Sequence, residues 1–270
     1  MRGTSAAALR EVAARAEAAF RSGAPLEALA EDLFSSARVI DSSNQLVRLL
    51  SDGGRAVEIR RDAVQRLFAG KVGGEALEVL LDIVSQRWSA QQDLLDAIAH
   101  VGELALFALA DREQKLGTVE EQLFSLSRTI EAEPALAAAL EDPKKDGAQR
   151  ATVLGKLLDG KADQVTIRLA CEAIRRRGDK RPAARILALA ERASERRQRL
   201  LAVVTSARPL SSAQMGRLPA ILHRIYGRDV HVNVEVSESV VGGLRIQVGG
   251  DLYDATVLAR LSQARDALAA

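Results

Sequence analysis

Aromatic side chains are scarce in this sequence: Phe, Tyr and Trp make up 3% of its 270 residues. Its basic runs therefore lack the interleaved rings on which nucleic-acid bases stack. Charge of one sign is also missing. Lys and Arg number 38 against 36 Asp and Glu, a net charge of +2, which argues against a nucleic-acid partner. Cysteine occurs once, at Cys171. No disulfide can form within the chain, and a reducing compartment fits. Its apolar surroundings read as those of a buried thiol, not a reactive one. No run approaches the roughly 18 apolar residues of a membrane span; the longest candidate, Val101 to Ala110, contains Glu103. The Ala-rich start is interrupted by Arg10, Glu11, Arg15 and Glu17, which is not the pattern of a secretory leader. A soluble chain, or one held at a membrane by something other than a span of its own, is expected. His100, His223 and His231 lack metal-ligand spacing, and no P-loop, H-E-x-x-H or G-x-S-x-G motif occurs. No metal, cofactor or catalytic residue is expected.

What the chain does have is Ala, Leu, Arg and Glu, the strong helix formers of helical bundles. Ala6 to Phe20 reads as an amphipathic helix. Pro25 suits the first turn of the next, whose Leu26, Leu29, Leu33, Phe34 and Ala37 form one apolar stripe. Shorter helices follow, ending near Leu50, Gly70 and Trp88. Gln91 to Leu116 reads as one long helix, interrupted only by Gly102. Gly117-Thr118 is expected to end it, with Thr118 to Glu121 capping the next.

The pattern then recurs at a shift of 90 residues. Glu31, Leu33, Phe34, Ser35, Arg38 and Ile40 match Glu121, Leu123, Phe124, Ser125, Arg128 and Ile130. Leu50, Asp52, Arg60, Gly70 and Lys71 match Leu140, Asp142, Arg150, Gly160 and Lys161. The shift exceeds solenoid repeat lengths, so a duplicated helical bundle sharing the long central helix is expected. The second copy ends with a helix from Pro182 to Arg199.

From Leu200 the period changes. A strand leads into Arg208-Pro209. Ser211 or Ser212 caps a helix to about Tyr226. Val230, Val232, Val234 and Val236 alternate as a strand. Gly242-Gly243 precedes a second alternating run, Leu244, Ile246 and Val248. Gly249-Gly250-Asp251 is a turn signal. Leu252-Tyr253 is a short return, and Asp254 stands where a helix N-cap belongs, ahead of Val257, Leu258 and Leu261. Gly242, Gly243 and Gly249 read as structural turn residues, because a phosphate loop would need a helix start and a lysine they lack. The fold class is thus mainly α, with a small α+β C-terminal domain of two helices and three or so strands. The expected boundaries are 1–100 and 101–199 for the two bundle copies and 200–270 for the last domain.

That last text resembles a known family. Val204-Thr205-Ser206-Ala207 with Pro209-Leu210, the Gly242-Gly243 pair, Gly249 with Asp251, and Asp254-Ala255-Thr256-Val257 with Leu261 are similar to the delta subunit of bacterial F-type ATP synthases. This subunit is related to the mitochondrial oligomycin-sensitivity-conferring protein. Glu103 to Leu123 resembles the family's first helix and the start of its second, so the likeness covers about 100–270. Ser237-Glu238-Ser239 departs from the Asp-Pro common before the Gly-Gly, and the first bundle copy is extra.

The resemblance implies a non-catalytic stator subunit of the peripheral stalk at the cytoplasmic face of the cell membrane. It implies a helical domain that holds alpha-subunit N-termini, and a C-terminal domain that holds the end of the b stalk. It implies no nucleic acid, and contact with the membrane only through the complex. The alpha helix is assigned to the second copy, in a groove lined by Leu106 and Leu109 and by Ile167 to Ile174; the first copy is expected to act as a brace. Two rivals are weighed. One is an RNA- or ribosome-associated helical adaptor using Arg175 to Arg181 and Arg192 to Arg199. The other is an enzyme with an unrecognised pocket.

Overall fold

The computed structural model describes residues 3–20, 23–176, 181–198, 201–226, 230–237, 240, 242–248 and 251–256. Contacts divide the chain into two compact units, 1–190 and 191–270.

The first unit is all helix. It opens with α1 (Thr4–Phe20), α2 (Leu26–Asp41), α3 (Asn44–Ser51), α4 (Val57–Phe68) and α5 (Gly74–Ser85). The long α6 (Gln91–Arg112) follows, then α7 (Leu116–Ala132), α8 (Pro134–Glu141), α9 (Gly147–Leu158) and α10 (Gln164–Arg175); the units divide within α11 (Pro182–Gln198). Adding 90 to the bounds of α2 to α5 gives those of α7 to α10, except that α7 runs one residue further.

Small interactions recur with the same offset. Asp52 accepts from the Gly54 N–H at 3.0 Å, and Asp142 accepts from the Lys144 N–H at 2.9 Å. Asp32 accepts from the Gly73 N–H at 2.8 Å, and Gln122 from the Asp163 N–H at 2.9 Å. Gly70 and Gly160 follow α4 and α9 with φ of 71° and 67°, angles that favour glycine. Arg60 and Arg150 are both buried. Arg60 donates to the Gln86 carbonyl at 2.8 Å and Arg150 to the Lys145 carbonyl at 3.3 Å. Equal spacing thus gives Asp52 and Asp142, and Gly70 and Gly160, the same tasks, whereas the two buried arginines reach carbonyls at different places in their repeats.

α6 is the shared element. It packs against α1, α2, α3 and α5 and also against α7 and α10. Such a helix must be apolar on most of its surface. Leu94, Ile98, Val101, Ala105, Leu106 and Phe107 are all buried.

The expected helix end at Leu116 is corrected: α6 stops at Arg112, and Gly117 and Thr118 lie inside α7. The Lys115 N–H donates to the Ala110 carbonyl at 2.7 Å and the Gln114 N–H to the Asp111 carbonyl at 3.0 Å. This is a Schellman ending. Its left-handed residue is Gln114, with φ 58°, where glycine is the usual choice.

In the second unit, β1 (Leu201–Ser206), α12 (Ser212–Tyr226), β2 (His231–Val236), β3 (Gly243–Val248) and β4 (Asp251–Thr256) follow in order. The sheet order is β2-β1-β3-β4. β1, β3 and β4 are antiparallel, and β2 joins β1 in parallel. A parallel pair needs a crossover, and α12 supplies it. Leu222, Val230 and Val248 form a core with Tyr226, Val232 and Ile246 around them.

Two expectations for this unit are revised. Leu252-Tyr253 belongs to a full strand and not to a short return. Asp254 is no N-cap: it lies within β4, opposite Arg245, whose Nη2 is 3.1 Å from its Oδ2. The strand period absorbs it as an outward-facing charge. Gly243 opens β3 with φ 85°, and Gly242 precedes it. Gly249 and the expected final helix with Val257, Leu258 and Leu261 lie outside the described residues.

Candidate functional site

Two grooves in the first unit occupy matching places. One lies between α1 and α5, the other between α6 and α10. They differ in what fills them.

The α6/α10 groove is the one expected to be open, and it is filled from within. Phe34 of α2 lies among Leu106, Cys171 and Glu172. A Cβ built at Gly102 would stand 2.6 Å from Phe34 Cε1, so only glycine admits the ring. Leu106 and Ile174 are buried; Leu109 and Ile167 are half-buried. These four residues do not line one open surface.

Polar side chains tie α10 down beside that ring. Glu172 is 6% exposed. Its Oε2 lies 3.3 Å from Arg38 Nη1 and 3.5 Å from Arg175 Nε. Burial pushes the Glu172 carboxyl above the usual range, while Arg38, Arg175 and Arg176 pull it back. Arg38 also reaches Glu31 at 2.9 Å. Arg168 pairs with Glu27, and Arg176 with Asp96. Burial raises the Cys171 thiol, which donates to the Ala151 carbonyl at 3.3 Å. A raised thiol is a poor nucleophile, as its apolar setting leads one to expect.

The α1/α5 groove is open, with a volume of about 680 Å³. Val12, Ala16 and Ala19 of α1 and Val79 of α5 give it an apolar floor. Arg15 and Asp82 pair across it at 3.1 Å. Glu75, Glu78 and Arg61 stand on its margin. Burial raises the Asp82 carboxyl, and Arg15 lowers it. An apolar floor with charged edges fits an amphipathic helix. Sequence reading overlooked this groove. The available signal was Gly102: a lone mid-helix glycine marks a close approach, while Val12 stands 90 residues earlier.

Among the described residues, no three His, Cys, Asp or Glu side chains gather as around a metal ion. None of the described helices is long and apolar enough to cross a membrane.

Residues 104–268 match the sequence pattern of the ATP synthase delta (OSCP) subunit family. The ATP synthase subunit delta of Salinispora tropica is 43% identical over 240 residues, covering 89% of this chain and 88% of the relative. That of Salinispora arenicola is 40% identical, covering 98% of both. That of Beutenbergia cavernae is 36% identical over the full length of both. These relatives therefore match the extra N-terminal bundle too. A chain in the Toxoplasma gondii mitochondrial ATP synthase hexamer gives a TM-score of 0.32 at 18% identity, over 62% of this chain and 95% of that one.

Proposed function

The chain belongs to the ATP synthase delta (OSCP) subunit family, and we propose that it is the non-catalytic stator subunit of an F-type ATP synthase. In this reading it joins the alpha subunits of the catalytic head to the b stalk at the cytoplasmic face of the cell membrane. It meets the membrane only through the complex. Resistance to rotor torque is its task, so that rotation drives ATP synthesis. It takes no cofactor and no nucleic acid.

The observation that carries the reading is the open, apolar-floored α1/α5 groove in a chain of this family. An alpha N-terminal helix lies there with its apolar face on Val12, Ala16 and Val79 and its polar edges near Glu75 and Arg61. The α6/α10 groove, which holds Leu106, Leu109, Ile167 and Ile174, is closed by Phe34 and stiffens the unit from within. The first bundle therefore takes the helix and the second braces it, the reverse of the roles expected from sequence. The origin of both bundles by duplication is part of the same proposal, supported by the matched helix bounds. The b-stalk end is assigned to the second unit, where Ile221 and Ile225 are exposed one turn apart on α12.

The test uses the full chain, an alpha N-terminal peptide and a b C-terminal peptide in calorimetric titrations. Both should bind. Ala19→Arg, at the exposed edge of the groove, should weaken only the alpha peptide, and Ile225→Asp only the b peptide. Failure of both peptides, together with salt-sensitive RNA binding, would establish the adaptor reading instead.

A further inference from the structure

The sequence E-x-L-F-S-x-x-R-x-I occurs twice, on α2 as Glu31 to Ile40 and on α7 as Glu121 to Ile130. On α2 its outer face is covered: α10 lies over Phe34 and Arg38. Phe34 is 3% exposed. On α7 the same face is bare, and Phe124 is 48% exposed. A shallow surface of about 560 Å³ runs along Phe124, Ser125, Arg128 and Glu131. Leu123 and Ile130, the inward residues of the motif, are fully buried as Leu33 and Ile40 are. The inward residues of the two helices are therefore seated alike. Phe34 is covered by α10 and also lies against Gly102 of α6, whereas Phe124 is half exposed and position 192, which matches 102, is an arginine.

We propose that the Phe124–Arg128 face of α7 is a docking site for an amphipathic helix of another chain, whose chemistry is that of α10. The covered face states what such a helix must carry. On α10, Arg168, Cys171 and Glu172 fall at i, i+3 and i+4, on one side of the helix. Cys171 is small enough to lie on the phenyl ring. Glu172 meets the arginine four residues beyond the ring, at 3.3 Å. Arg168 meets an acidic side chain, Glu27.

α7 repeats the ring and the arginine, while Gly117 stands where α2 has Glu27. Arg128 stands ready for a glutamate, and no ion pair of Arg128 forms among the described residues. Glu121 lies one turn before Phe124, favouring a basic residue on the incoming helix. The occupant is thus a helix with a basic residue, a small residue three positions on and a glutamate next to it. This chain's own α10 is spent on α2, so a second copy does not supply it.

The probe is a hydrocarbon-stapled peptide of residues 164–175, cross-linked through the positions of Thr166 and Ala170 on the side away from Arg168 and Glu172. The staple is needed because a 12-residue helix is marginal alone. Binding of the labelled peptide to the full chain is read by fluorescence anisotropy. Arg128→Glu should weaken it by ~10-fold or more, and a Glu172→Lys peptide should recover most of that loss. Phe124→Ser should abolish binding. Both substitutions lie on an exposed face, and circular dichroism melts should match the parent. Three outcomes overturn the proposal: no binding to the parent chain, binding indifferent to Phe124 and Arg128, or a dimer of the chain that Phe124→Ser dissociates.

Discussion

Phe34 and Gly102 touch more closely than any side chain at position 102 would permit, since a Cβ there would lie 2.6 Å from the ring. The ring is enclosed by α6 and α10 and cannot swing aside cheaply. In an exposed helix, Gly→Ala gains about 1 kcal/mol of helix propensity. Here overpacking of about 1–3 kcal/mol acts against it. Gly102→Ala should lower the midpoint of denaturant unfolding, and Phe34→Leu in the same chain should restore part of the loss. Stabilisation by Gly102→Ala alone would mean that the ring is not held between the helices.

The two phenylalanines of the repeated motif should respond oppositely to truncation. Phe34→Ala opens a cavity among Leu106, Cys171 and Glu172, a change that costs about 3–5 kcal/mol in other cores. Phe124→Ala removes an exposed ring and should stay within about 0.5 kcal/mol. Equilibrium unfolding of the two variants side by side checks this. Equal losses would mean that the outer face of α7 is covered within the chain.

Glu172 gives the first unit a pH dependence whose sign follows from its raised carboxyl. Its folded form holds a proton at a pH where the unfolded chain has released it. Stability is therefore greatest below the ordinary glutamate range and falls as pH rises through the raised value. Arg38, Arg175 and Arg176 oppose the shift, and Glu31 adds to it. Glu172→Gln should flatten the decline in melting temperature as pH rises above the ordinary glutamate range and cause little loss at pH 7. Asp82, raised by burial in the other groove, should leave a residual slope of the same sign. A loss near 3 kcal/mol or more at pH 7 would show instead that the buried pair is strongly stabilising.

Most of the helices were legible in the sequence because apolar spacing and turn residues agreed. The shift of 90 further tied the bounds of α2 to α5 to those of α7 to α10. The end of α6 was not legible, since Gln114 takes an angle usually left to glycine and Gly117 sits harmlessly inside α7. Asp254 misled for a related reason: an aspartate before apolar residues can be an N-cap or one outward position of a strand. Cross-strand pairing with Arg245 decides between them, and that pairing is nine residues away in sequence. The grooves were hidden more deeply. Leu106 and Ile174 have the composition of a groove lining, but whether a lining is open depends on Phe34, a residue of α2. Only a tertiary contact distinguishes Phe34, covered, from Phe124, bare, because their sequence surroundings are nearly the same.

Gly243 should be the sensitive residue of the second unit. It opens β3 with φ 85° and pairs with Thr256 of β4. A β-branched side chain at a positive φ is a steric outlier. Backbone strain of this kind costs on the order of 1–3 kcal/mol. The unit's small core, centred on Leu222, Val230 and Val248, has little surplus with which to offset it. Gly243→Val should therefore raise hydrogen exchange and proteolysis in β3 and β4 while α1 to α10 keep their protection. Gly243→Asn should be milder, because asparagine tolerates left-handed angles better than other side chains. In the stator reading, the valine variant should also lose the b peptide and keep the alpha peptide. Valine tolerated at full stability would remove the need for glycine at the start of β3. Loss of the alpha peptide instead would mean that the strain spreads beyond its own unit.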